Sequence, residues 1–150
     1  MKIFNNMISS AISERDRANM VWLADRVDER GWPSIAMVGE EASHSAWLLA
    51  QHADADPAFQ LMILRKMEPL AKRGQVKARD FAMLTDRVQL RLTRTQKYGT
   101  QWMCEDGIRQ PQPLMHDRAE TDRLRAAMDL DTLAENAARM NENHGPCRTD

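Results

Sequence analysis

The residues best placed to do chemistry are His52, Asp54 and Asp56, within Gln51-His-Ala-Asp-Ala-Asp-Pro57. An imidazole exchanges a proton near neutral pH, and a neighbouring carboxylate can orient it for that task. Two other groups could join them. One is the pair Asp86-Arg87; the other is Gln96-Lys-Tyr-Gly-Thr-Gln101. A guanidinium fork suits an anionic group, and the amides and hydroxyls of the second stretch suit a polar ligand. The candidate catalytic set is therefore His52 as acid/base, with Asp54 or Asp86 orienting it. Arg87 would hold an anionic group, while Gln51, Gln96, Tyr98, Thr100 and Gln101 would contact the rest of a small polar molecule or peptide. The residues do not name the reaction.

These groups need elements to hold them. Ser45–Ala53 reads as the end of a helix carrying Trp47, Leu48 and Leu49, with Glu40 and Glu41 at its positive N-terminal end. Asp56-Pro57 restarts the chain, since Asp accepts orphan N–H groups at an N-cap and Pro at N1 has none to orphan. A helix should then run to about Lys72, kinked or ended early at Pro69. Upstream, Ile8 to Arg30 has helical period and stops at Gly31-Trp-Pro33; Ser34–Val38 reads as a helical turn. Lys77 to Thr95 reads as a helix with one apolar stripe (Phe81, Leu84, Val88, Leu92) and a second (Met83, Leu90) roughly opposite. Such a helix should be central, with Asp54 or His52 as possible partners for Asp86 and Arg87. Asp106-Gly107 marks a hairpin with arms Thr100–Cys104 and Ile108–Gln112. Two more helices follow, one from Asp117 and one from Thr132 to about Asn141. Residues 143–150 read as a mobile tail. The expected architecture is mainly α, a single-domain irregular bundle of about six helices over residues 1–142 with one small hairpin. If the loop after the fifth helix reaches back, His52, Asp86 or Arg87, and Tyr98 or Gln101 would line one partly open cavity.

Each feature has a plainer alternative. His52 could cap its own helix, the Gln96–Gln101 loop could be a plug that satisfies helix ends, and Asp86 and Arg87 could be solvated. The whole polar set would then be a structural network in a non-catalytic partner-binding or immunity-type protein. Other chemistries are disfavoured. Asp54-Ala-Asp56 lacks the preceding strand of a phosphatase Asp-x-Asp motif. His44 and His52 lie about 80° apart around a helix with no Cys or third His close by, so a metal is not expected, although a site recruiting carboxylates stays open. Nucleotide-binding glycine motifs and a serine nucleophile elbow are absent, so no cofactor is expected.

At 150 residues and 43% apolar, the chain suits one globular domain. Its 21 basic and 22 acidic residues leave a net charge of -1, which gives no drive toward nucleic acid or anionic membrane. Two cysteines, Cys104 and Cys147, are too few for a disulfide framework, and a reduced cytoplasmic setting is expected. Eleven scattered Met residues read as core filler. Nothing in the residues sets the oligomeric state.

Several blocks together resemble a bacterial family of uncharacterised domains: Gly31-Trp-Pro33, Val38-Gly39, Gln51-His-Ala-Asp54 with Phe59-Gln60, Leu84-Thr-Asp-Arg-Val88, and Gln96-x-Tyr-Gly-Thr-Gln101. The resemblance spans about Gly31 to Leu133. It implies a shared fold and no established activity, and His52, Asp54, Asp86, Arg87, Gln96, Tyr98 and Gln101 match its polar positions. Departures come late. An Asp-x-Arg-Arg segment reads Asp122-Arg-Leu-Arg125, an expected Gly-Leu reads Asp129-Leu130, and an aromatic near Asn136 is missing.

Overall fold

A computed structural model describes residues 2–145 and Cys147, with side chains from Ala11 onward. The protein is a mainly α domain that divides into two compact units, Met1–Lys77 and Ala78–Asp150. Seven helices and one two-stranded hairpin are present among the described residues. None of these helices is long and apolar enough to cross a membrane.

The first unit contains α1 (Lys2–Arg30), α2 (Ile35–Val38), α3 (Glu40–Gln51) and α4 (Pro57–Ala71). Helix α1 begins earlier than Ile8 because no Pro or Gly interrupts Lys2–Ile8. It packs along α3, which also meets α2 and α4. Leu23, Val27, Trp32, Trp47, Ala50, Phe59, Ile63 and Met67 supply the buried apolar side chains of this unit. The turn between α3 and α4 follows the sequence logic. Asp56 accepts from the Phe59 N–H at 2.9 Å, and Pro57 opens α4. Pro69 lies inside α4 without ending it. Gln75 fastens α2: its carbonyl accepts from the Ile35 N–H and its Oε1 from the Ala36 N–H, both at 2.9 Å. These are donors that a helix start leaves unpaired.

The second unit contains α5 (Ala78–Thr93), β1 (Trp102–Glu105), β2 (Ile108–Pro111), α6 (Arg118–Ala126) and α7 (Leu133–His144). The strands are antiparallel, pairing Trp102 with Pro111 and Glu105 with Ile108. Asp106 and Gly107 both take positive φ, 50° and 75°, as a two-residue turn between twisted strands requires. Asp117 and Thr132 cap α6 and α7, the latter through a reciprocal capping box with Glu135. The apolar stripe expected on α5 is incomplete: Leu84 and Val88 are buried, but Leu92 is 62% exposed.

Two expectations need correction at the C-terminus. Cys104 and Cys147 are not free thiols; they form a disulfide with Cα atoms 5.8 Å apart. The helix expected to end near Asn141 also runs longer. Helix α7 runs on to His144, and the Gly145 carbonyl accepts from Arg109 Nη2 at 3.2 Å. Pro146 and residues 148–150 lie outside the described residues. Bridging 43 positions removes chain entropy worth about 4 kcal/mol from the unfolded ensemble. Reduction with dithiothreitol should therefore lower the urea midpoint of the second unit by a matching amount. A Cys104→Ser, Cys147→Ser variant should behave as the reduced protein and be insensitive to reductant.

Candidate functional site

The predicted site residues fall into two sets. Gln51, His52 and Asp54 belong to the first unit; Asp86, Arg87, Gln96, Tyr98, Thr100 and Gln101 belong to the second.

Within the second unit the sequence blocks form a clamp on one loop. Asp86 is fully buried on α5. Its Oδ1 accepts from the N–H groups of Lys97 (2.9 Å) and Tyr98 (2.8 Å), and its Oδ2 from Thr100 N–H (2.8 Å). Asp86 and Arg87 thus find partners on the 97–101 loop, not only by solvation, because Arg87 Nη2 donates to Gln101 Oε1 at 3.2 Å. Gln96, also fully buried, uses both ends of its amide. Nε2 donates to the carbonyls of Gln101 and Gln112 at 2.8 and 2.9 Å, and Oε1 accepts from Gln101 N–H at 2.9 Å. Tyr98 is 2% exposed.

The loop's carbonyls are held by a residue that sequence reasoning missed. Arg125 has no exposed surface, and its Nη1 donates to the carbonyls of Tyr98 (2.8 Å) and Gly99 (3.1 Å). Its Nη2 reaches Asp131 Oδ1 at 3.2 Å, and its Nε donates to the Asp131 carbonyl. Asp86 therefore takes the loop's N–H groups while Arg125 takes its C=O groups, which satisfies a buried backbone lacking a sheet ladder. Gly99 sits at φ 65° with Leu133 only 2.7 Å from where a Cβ would lie, so a side chain there meets both strain and collision. The one available signal for Arg125 was the family-like segment Asp122–Arg125, which in a highly charged helix reads as solvent-facing.

Charge in this clamp is set by competing causes. Burial pushes the Asp86 carboxyl above its ordinary value, against hydrogen bonds from Tyr98, Thr100 and Lys97. Burial likewise lowers the Arg125 guanidinium, opposed by the charges of Asp131, Asp122 and Asp86. At Asp131, burial works against ionisation but is outweighed by the hydrogen bond and charge of Arg139 together with the charge of Arg125, so the carboxyl lies below its usual range.

The first unit offers a different environment. Gln60, fully buried on α4, donates through Nε2 to the carbonyls of Ala50 (3.1 Å) and Gln51 (3.2 Å), closing the C-terminal end of α3. The same nitrogen lies 3.4 Å from Asp54 Oδ1. Gln51 is buried, whereas His52 and Asp54 are exposed. His52 is the C-cap of α3, its backbone N–H donating to the Leu48 carbonyl at 3.2 Å. His52 and Asp54 line a cavity of about 180 Å³ together with Ser13, Asp16 and Arg17 of α1. No hydrogen bond or ion pair engages the side chains of Arg17 or His52 among the described residues. Asp16 and Arg17 belong to a charged run on α1, Glu14-Arg-Asp-Arg17, and such a run is where an exposed cavity finds its walls. No cluster of three or more metal-ligating side chains occurs among the described residues.

The fold defines a mainly α domain with one small antiparallel hairpin. The chain belongs to a family of unknown function, DUF6624, whose model matches residues 6–146. No curated protein and no solved structure matches the chain.

Proposed function

We propose that the chain acts on a small anionic molecule at the α1/α3–α4 corner, where His52 transfers a proton and Arg17 holds the anionic group. The observation that carries this reading is the meeting of Arg17 and His52, neither engaged elsewhere, on one cavity large enough for a phosphate- or carboxylate-sized group. Asp16 and Asp54, on the same wall, would give the proton a destination. In this reading the Asp86–Gln96–Thr100 set does no chemistry. Its acceptors are occupied by backbone N–H groups, which leaves no free carboxylate for proton transfer.

Titrating inorganic phosphate while following the His52 ring protons by NMR tests the site. A saturable shift at millimolar phosphate is expected, weakened about tenfold or more in Arg17→Met, since a hydrogen bond to a charged group is worth roughly 1.5–3 kcal/mol. His52→Gln should keep the fold within about 0.5 kcal/mol, as an exposed position allows. No shift at all, or a shift indifferent to Arg17→Met, overturns the reading.

A second reading, a non-catalytic partner-binding protein, is favoured by the saturation of the second unit's polar set. It expects phosphate to leave His52 untouched.

A further inference from the structure

The first unit carries an apolar groove that shares no residue with the corner cavity. It has a volume of about 1000 Å³ and is walled by α1, α2 and α3. Four large side chains on it stand in water: Trp22 at 58% exposure, Met37 at 59%, Leu48 at 44% and Val38 at 43%. Scattered singly, exposed apolar residues are ordinary, but gathered along one groove they mark a surface that docks something.

The charges on its rim point to the occupant. Arg26 is neutralised by Glu29 of the same helix, at 3.0 Å. That leaves Arg30 on α1 and Glu41 on α3, of opposite sign, and neither side chain has a hydrogen-bond or ion-pair partner among the described residues. A rim of one net sign would select an oppositely charged partner. One uncommitted cation and one uncommitted anion across a groove are instead complementary to themselves, because under a two-fold axis each residue meets the other's counterpart. Trp22 supplies a protruding apolar knob, and the groove supplies the hole. We propose that this face binds a second copy of the chain in an isologous dimer. Trp22 of each protomer enters the other's groove, and Arg30 faces the partner's Glu41.

Sedimentation equilibrium of the full chain, from micromolar to several hundred micromolar, tests this. A monomer–dimer equilibrium is expected. Trp22→Glu should abolish it while leaving the circular dichroism spectrum unchanged, since the side chain is exposed. Arg30→Glu alone should weaken the dimer about tenfold or more by placing like charges together. Adding Glu41→Arg should restore it, because the reversed pair is complementary again. A chain that stays monomeric throughout overturns the proposal. So does a dimer indifferent to Trp22→Glu, or a charge-reversed double variant no stronger than Arg30→Glu.

Discussion

Asp86→Ala should destabilise the second unit by on the order of 3–5 kcal/mol, enough to unfold it at moderate urea. Three backbone N–H groups converge on this carboxylate at 2.8–2.9 Å in a fully buried setting, and Ala leaves all three without an acceptor. Asp86→Asn should fall between parent and Ala. Its amide oxygen can still accept from Lys97 and Tyr98, but its NH₂ would face the Thr100 N–H, donor against donor. The direction of the Asp86 shift fits this order. A carboxyl raised above its unfolded value of 3.8 takes up its proton more readily in the folded state, so its contribution to stability declines as pH rises through the window just above that value. Acceptor geometry, rather than charge, is what Asp86 contributes, so Asn should outperform Ala at every pH. Urea unfolding followed by circular dichroism distinguishes the three proteins. An Ala variant within about 1 kcal/mol of the parent would mean the loop does not depend on this clamp.

The sequence reading succeeded where one residue's local chemistry settles the backbone. Asp56-Pro57 could only start a helix, and Asp106-Gly107 could only turn a hairpin. It failed where the partner is remote. Nothing near Cys104 announces Cys147, 43 positions away, because pairing depends on α7 meeting β2. Arg125 is similar. Arginine in a helix with Arg118, Asp122 and Arg123 reads as solvated, and its burial follows from carbonyls that lie 26 and 27 residues earlier. One departure from the family pattern becomes intelligible in the structure. Asp129 stands where glycine was expected and takes φ 54°, while the Leu130 N–H returns to the Arg125 carbonyl to close α6. Asp is among the few side chains that tolerate that conformation. Of the site, His52 and Asp54 were visible as types, but Ser13, Asp16 and Arg17 were not. A cavity wall on a charged helix has the same composition as any wet face.

Arg125→Met should cost the second unit about 3–5 kcal/mol, although a buried ion pair can often be replaced by apolar residues without loss. The difference lies in what the guanidinium holds. Met would fill much of the volume but leave the carbonyls of Tyr98, Gly99 and Asp131 unmet. Arg125→Lys should recover only part, since an ammonium is a point donor and cannot span the loop carbonyls and Asp131 together. Acid titration adds a check with a definite sign. Asp131 is depressed below its unfolded value of 3.8, so its contribution is present above that value and is lost as pH falls through the lower folded value. Removing the Arg125 charge should shrink this acid-labile part, leaving Arg139 as its remaining charged partner. The decisive measurement is the double-mutant cycle. Asp86 and Arg125 grip the N–H and C=O groups of the same short loop, so once either is lost the loop is free to leave and the other has less to hold. The Asp86→Ala, Arg125→Met protein should therefore be destabilised by at least about 1 kcal/mol less than the sum of the single changes. Strict additivity would show two independent struts instead of one clamp.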